Sequence, residues 1–308
     1  MIIRNHENWL RMLFVWKGSV LRTIIPQLAL LLLVALFALF TDGAIFGEKI
    51  LPDTTPFTLI GLTLAIFLAF RNNASYQCYV EARALWGEAL VVSRAFASHL
   101  LCFAPAVSHE DRAELVKRII AFAHALKSQL RPVSMLDGAP RADSTHAAAS
   151  DPIATAKAYP AAAILHEMRQ RIAALTTAGD VRDTSLYVWN QHIDELHAVA
   201  GGCERIASTP MPFPYAVLVH RTVYTYCLLL PFGLVNSVGI FTPLISVFLS
   251  YTLLALEAIA AEMAQPFGTT QNSLALDSIV RHIERTLLEM CGAPLPPPIP
   301  TRDGYELT

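Results

Sequence analysis

The sequence predicts an all-α membrane protein with four transmembrane helices and a large cytosolic helical portion. Three observations carry this reading. Of 308 residues, 54% are hydrophobic and only 16% are charged, where a soluble domain carries about a quarter charged residues. The apolar excess is gathered into blocks, and residues 23–41 and 222–256 contain no Asp, Glu, Lys or Arg. Basic residues cluster on one side of each block, as the positive-inside rule requires of a multi-span protein.

The remaining bounds are simple. A formal net charge of −2 leaves no basic bulk for nucleic acid. The five cysteines, at 78, 102, 203, 227 and 291, form no CxxC and are odd in number. They read as reduced, either cytoplasmic or buried in the membrane. The start MIIRNHENW lacks a basic-then-apolar signal with a cleavage site, so the first apolar block is expected to be retained.

Residues 6–22 mix Trp9, Phe14 and Trp16 with Arg11, Lys17 and Arg22. That composition suits a helix lying at the membrane surface, or an amphipathic helix packed on a core. The first span is expected at about 23–41, since about 20 apolar residues cross the hydrocarbon. Pro26 falls in its first turn, where a missing N–H costs little. Residues 42–56, with Gly43, Gly47, Pro52 and Pro56, read as a short polar loop.

The second span, about 57–76, opens the stretch FTLIGLTLAIFLAFRNNASYQCYVEARALWGE. It carries no charge before Arg71 and no Gly or Pro between Gly61 and Gly87. One helix is expected to run from an apolar region into a polar one, roughly 45 Å at ~1.5 Å per residue. Leu62, Ile66 and Phe70 are four apart and share one stripe of it, Asn73 continues the stripe, and Arg71 lies on the opposite side. Several copies around an axis would make a narrow hydrophobic throat opening into a polar vestibule.

Beyond it, the pattern from 89 to 130 is that of cytosolic helix, with Ser108 and Asp111 placed as a helix start. Residues 133–160 read as a loop rich in Ala, Ser and Pro, and helices resume near 161–174 and 186–208. Pro210, Pro212 and Pro214 mark re-entry into the membrane. The charge-free block 222–256 is long enough for two short spans, expected at about 215–233 and 238–257. Gly233, Asn236, Gly239 and Pro243 are candidates for the turn between them, and Glu257 and Glu262 mark the exit. A polar helix is expected over 274–290. The tail APLPPPIP favours an extended polyproline conformation, as a docking ligand, packed on a neighbouring subunit, or loose.

Orientation follows from the basic residues. Arg4, Arg11, Lys17 and Arg22 precede the first span, Arg71, Arg83 and Arg94 follow the second, Arg221 precedes the third, and Arg281 and Arg285 follow the fourth. Only Lys49 lies opposite. Both termini and the cytosolic parts, about 77–214 and 258–308, are therefore expected on the cytoplasmic side.

Catalytic chemistry finds no support. The ten histidines are dispersed, His166 with Glu167 lacks the second His of a HExxH zinc site, and no phosphate loop or GxSxG occurs. Cys203, Glu204 and Arg205 are consecutive, so on a helix they point apart and cannot converge on a substrate. His220 beside Arg221 at a membrane boundary reads as a pH sensor or an interfacial hydrogen-bonding residue. No enzyme activity, cofactor or metal is expected.

Several stretches together resemble the bestrophin family of ion channels, in its bacterial branch. They are FLAFRNNASY with EARALWG, GCERIASTPMPFPYAVLVHR with LPF at 230–232, EAIAAEMAQPFG with LALDSIVRHIE, and RMLFVWKGSVLR near the start. The resemblance spans most of the chain and leaves out 133–160. It implies a homopentamer around one axial pore in the bacterial inner membrane, passing small monovalent ions. It maps the family's hydrophobic neck onto Leu62, Ile66 and Phe70, and a second, cytosolic constriction onto Leu186 or Tyr187. In animal relatives the stretch after PFG is acidic and binds calcium. Here it reads Thr269, Thr270, Gln271, Asn272 and Ser273, which predicts no calcium gating.

Selectivity rests on charge at the two mouths. The first loop carries Asp42, Glu48 and Asp53 against Lys49, and the turn before the second constriction holds Asp180 and Asp183 with Arg182. Both are net negative, and a negative mouth concentrates cations within a Debye length of ~8 Å. The expectation leans to sodium and potassium. An anion-selective channel like the animal bestrophins, a small-solute carrier, and a scaffold without transport are the alternatives.

Overall fold

The computed structural model describes residues 18–45, 48–49, 55–131 and 158–300. The helices among them are α1 (Leu21–Phe40), α2 (Thr55–Phe103), α3 (His109–Leu130), α4 (Pro160–Thr177), α5 (Asp183–Ser208), α6 (Phe213–Val238), α7 (Thr242–Met263) and α8 (Leu276–Met290). A two-residue antiparallel ribbon, Ala44–Ile45 (β1) with Glu48–Lys49 (β2), falls where the sequence suggested a loop. The amphipathic stretch up to residue 17 and most of the segment 133–160 lie outside the described residues.

Two compact units emerge. The first takes in, among the described residues, 18–45, 48–49, 55–79 and 210–265. Its core is built from Ile24 and Leu31 of α1, Leu64 and Leu68 of α2, Val219, Val223 and Cys227 of α6, and Leu254 and Ala255 of α7. Its outside is also apolar, with Leu33, Phe37, Phe40, Leu244 and Phe248 all exposed. A soluble surface does not present so much contiguous hydrocarbon; lipid or another apolar face must cover it. On α7, Thr242, Ser246 and Ser250 recur every fourth residue and are all buried. Small side chains on one stripe let helix backbones approach closely where no hydrophobic driving force is available.

The charge-free block 222–256 falls within α6, a single 3₁₀ turn at Gly239–Phe241, and α7. The turn lies at Gly239, whose φ of +57° suits a residue without Cβ. Gly233, a candidate for the turn, stays inside α6 and is buried, as is Pro231. A proline persists there because neighbouring helices can compensate the hydrogen bond it removes. Pro214 and Pro243 sit in the first turns of α6 and α7, where a fixed φ helps rather than hinders.

α2 runs further than expected, over 49 residues, or ~74 Å at 1.5 Å per residue. Gly87 does not interrupt it, since one glycine costs a helix only about 1 kcal/mol. The helix ends just before Pro105, which disfavours helical geometry in the residue ahead of it.

The second unit comprises, among the described residues, 80–131, 158–209 and 266–300. It has an ordinary soluble core, including Phe96 against Trp189 with ring centroids 6.1 Å apart. α3 begins as the sequence suggested: Ser108 Oγ accepts from Asp111 N–H at 3.0 Å and donates to Asp111 Oδ2 at 2.7 Å. That hydroxyl and the Arg171 guanidinium hold the Asp111 carboxyl below the usual carboxylate range. α8 buries Leu276, Val280, Ile283 and Leu287, one clean stripe. The chain leading into it is clamped by Arg131, whose Nε donates to Phe267 O at 2.9 Å and Nη2 to Leu274 O at 2.6 Å.

The proline-rich tail lies against its own subunit, which none of the sequence alternatives foresaw. Ala293, Pro296 and Ile299 are half-buried while most residues between them are exposed. That period of three is the repeat of a polyproline helix with one edge packed. Arg285 Nη1 donates to Pro296 O at 2.9 Å and holds the edge down.

Cys203, Glu204 and Arg205 diverge as expected. Glu204 accepts from Gln129 Nε2 at 2.7 Å, Arg205 pairs with Glu81, and Cys203 is buried. Burial, helped by the Glu204 charge, pushes the Cys203 thiol up to about 12. The thiolate is the nucleophile, so at pH 8 almost none is present. Iodoacetamide at pH 8 is therefore expected to leave Cys203 unmodified in the folded protein and to alkylate it after denaturation. Mass spectrometry of the Cys203 peptide checks this, and labelling at native exposure times would contradict it.

Candidate functional site

The first half of α2 has two opposite faces. Phe57, Leu64, Leu68, Arg71 and Ser75 are buried and follow one helical stripe. On the other side, Leu62, Ile66 and Phe70 are 61%, 49% and 66% exposed. Asn73 continues that exposed stripe. Three bulky apolar side chains are thus offered outward on one line, each at least about half exposed, and a neutral polar residue follows. A ring of such stripes would be a constriction that disfavours water.

Helix α6 backs this stripe along its length, and α7 joins it towards the polar end. At one end, Phe57 lies over Gly233: a Cβ there would sit 2.6 Å from the ring carbons. At Gly61, a Cβ would meet Tyr226 Oη at 2.8 Å. At each glycine an aromatic ring of the other helix fills the space, so neither tolerates a side chain without displacement. Further along, Tyr215 Oη donates to the Phe67 carbonyl at 3.1 Å. As numbers rise on α2 they fall on α6, so the two helices run antiparallel behind the exposed stripe.

At the polar end, Arg71 Nη1 donates to Glu257 Oε1 at 3.3 Å, with the two side chains only 6% and 13% exposed. The same Oε1 accepts from His220 Nδ1–H at 2.9 Å. His220 stacks at a tilt on Tyr224, ring centroids 4.3 Å apart. Sequence reasoning placed Arg71 away from the stripe, which is correct, and read Glu257 only as the end of a span. The pairing was missed. Its signal was the scarcity of charge: a lone cation next to an apolar block and a lone carboxylate ending another have few alternatives to each other. The contact of His220 with Glu257 is compatible with both readings given for it.

The other expected site residues are less completely placed. Asp42 is exposed at the end of α1, with φ of +48°. The Glu48 backbone lies in β2, its side chain is outside the described residues, and so is all of Asp53. Leu186 and Tyr187 open α5. Tyr187 is 73% exposed, while Leu186 is half-buried and helps line a cleft with Arg169, Thr176 and Asn190. Adjacent helical residues point about 100° apart, so the two do not project together. Among the described residues no group of three or more His, Cys, Asp or Glu is placed to hold a metal ion. His192, one of the histidines weighed as dispersed, instead pairs with His99 at 3.1 Å and Glu195 at 3.1 Å.

Comparison with known proteins adds the following. A family model described as Bacterial/Fungal Bestrophin protein matches residues 1–289. The chain is 40% identical over 298 residues to a voltage-dependent anion channel-forming protein of Ralstonia nicotianae, covering 96% of this chain and 95% of the relative. It is 38% identical over 312 residues to the voltage-dependent anion channel-forming protein YneE of Escherichia coli K12, covering 100% of both. Among solved structures it is similar to a bacterial bestrophin homologue from Klebsiella pneumoniae. That match has a TM-score of 0.79 and 37% identity, and covers 88% of this chain and 99% of the other.

Proposed function

This chain belongs to the bestrophin family, in its bacterial and fungal branch, and on that premise we propose that it is the subunit of a homopentameric channel. The channel passes small monovalent ions passively across the bacterial inner membrane. The observation that carries the reading is the exposed apolar stripe Leu62, Ile66 and Phe70, backed by α6 and, towards the polar end, by α7. Five copies around an axis make three stacked apolar rings. Such a neck holds no ion tightly and opens or closes by wetting.

The subunit crosses the membrane four times, at about 23–41, 57–76, 215–233 and 238–257. The parts at 77–214 and 258–308, and both termini, are cytoplasmic. Three stretches long and apolar enough to cross a membrane support this: Leu21–Phe40, Phe57–Phe103 and Phe213–Met263. The last is 51 residues long, and one crossing takes only about 20. With its break at Gly239 it supplies two spans. A second constriction is formed at Leu186 or Tyr187; Tyr187, the more exposed, is the better placed to meet its copies.

Replacing Leu62, Ile66 and Phe70 together with Ala is expected to raise single-channel conductance at least twofold. Purified protein in a planar bilayer reads it. Discrete current steps are expected from the parent; solute uptake without steps favours a carrier. An unchanged unitary current in the triple variant removes the neck from these residues.

Selectivity leans to sodium and potassium. Asp42, Glu48 and Asp53 against Lys49 leave two net negative charges per subunit at the outer loop, roughly ten around a five-fold axis, which concentrates cations. An anion channel is the second reading, favoured by the names of the relatives, voltage-dependent anion channel-forming proteins. Under a tenfold potassium chloride gradient, the reversal potential is expected on the potassium side of zero. A value near the chloride equilibrium potential establishes the second reading.

Calcium is expected to have no effect on gating. No carboxylate occurs between Gly268 and Asp277. Asp277 is engaged by Lys127 Nζ at 2.9 Å and Arg131 Nη1 at 3.4 Å. Calcium needs six to eight oxygens with carboxylates prominent, and two cations already occupy this one. Currents that vanish on chelation and return with calcium would contradict the expectation.

A further inference from the structure

We infer that Glu257 is a positioning residue of the neck: its carboxylate fixes where Phe70 stands by holding Arg71, the next residue of the same helix. The inference rests on the neck reading above and adds to it the group that sets the neck's geometry.

α1, α6 and α7 surround a region from which charge is otherwise almost excluded, and Arg71 enters it with a side chain only 6% exposed. A guanidinium is always charged and cannot relieve its burial by losing a proton. Its geometry is therefore dictated by its counter-charge. Glu257, itself only 13% exposed, supplies that charge at 3.3 Å. The carboxylate is in turn oriented by His220 Nδ1–H, which donates to the same oxygen at 2.9 Å. One oxygen thereby ties α2, α6 and α7 at one level.

That level is the polar end of the neck. Arg71 follows Phe70 directly, and successive helical residues are about 100° apart, so the orientation of one fixes the other. The other ties behind the stripe have a different character. Phe57 on Gly233 and Tyr226 on Gly61 are contacts of shape, and the hydroxyl of Tyr215 reaches a backbone carbonyl. Shape contacts allow a helix to slide or turn slightly. A buried, hydrogen-bonded ion pair resists this, because parting it leaves a guanidinium uncompensated among apolar helices. Of the four contacts, the Arg71 pair is therefore the one that fixes the rotation of α2 where Phe70 faces the axis.

Single-channel recording from the purified channel in planar bilayers tests this, with assembly followed by size-exclusion chromatography. Glu257→Gln, which keeps shape and removes charge, is expected to change unitary conductance at least twofold. Glu257→Asp, which keeps the charge, is expected to recover at least half of the difference. His220→Ala is expected to act more weakly than Glu257→Gln, since Arg71 keeps its partner. The double variant Arg71→Gln with Glu257→Gln leaves no uncompensated charge, so it assembles even where a single variant does not. Its conductance is expected to differ from the parent by no more than the larger single effect, as two residues acting through one contact do. Wild-type conductance in Glu257→Gln, together with a changed conductance in the Leu62, Ile66 and Phe70 triple variant, overturns this inference and leaves the neck standing. An unchanged triple variant removes the neck, and this inference with it. A double variant that fails to assemble also overturns it, because the pair then holds the subunit together rather than placing the neck.

Discussion

A guanidinium buried among apolar helices has to be met by a carboxylate, and much of the apolar unit is arranged so that Arg71 is met by Glu257. Removing one partner of a buried pair typically costs about 3–5 kcal/mol, because the other charge is left uncompensated. Around that contact the unit has little else that is directional. Its core is Leu, Ile, Val, Cys and Ala from α1, α2, α6 and α7. Two of its helix contacts seat an aromatic ring on a glycine, and α7 buries a stripe of small hydroxyl side chains. In a hydrocarbon surrounding, burial of leucine gains little, so close backbone approach and a few polar ties must set helix register.

The second unit obeys different rules in the same chain. Its helices hide one stripe and present charge on the other. Its ion pairs lie at the surface or half-buried, as where Arg118 joins Glu114 and Glu167 at 2.9 Å each. Solvent screens such pairs, and each contributes modestly. α2 contributes to both units: apolar on both faces up to Phe70, then carrying Arg71, Glu81, Arg83 and Glu88. One helix can serve both because its backbone hydrogen bonds are satisfied internally whether water or hydrocarbon surrounds it.

Sequence reasoning succeeded where the governing rule is local. The 3.6-residue period put Leu62, Ile66 and Phe70 on one line and Arg71 behind it, and the Ser108 cap of α3 needed only a hydroxyl three residues ahead of an amide. It failed where two weak signals competed. Gly233, Asn236, Gly239 and Pro243 all look like turn residues, but only the stretch from Gly239 bends. Gly233 is a glycine for a reason 176 positions away in the chain, the ring of Phe57. Gly87 does not interrupt α2, because a single glycine weakens a helix without breaking it.

The amino-acid sequence by itself determined that this chain is helical, that it carries charge-free blocks long enough to cross a membrane, and that one of them bears an apolar stripe on a single face. Those properties follow from composition and period, which act over a few turns of backbone. Only the tertiary structure decided which face of α2 is covered, and that Arg71 and Glu257, separated by 186 positions, share an oxygen with His220. It also decided that the proline-rich tail lies on its own α8. The first two join segments distant in the chain. Burial and charge pairing are satisfied by whatever the fold brings within a few ångströms, and no local pattern records which partner that is.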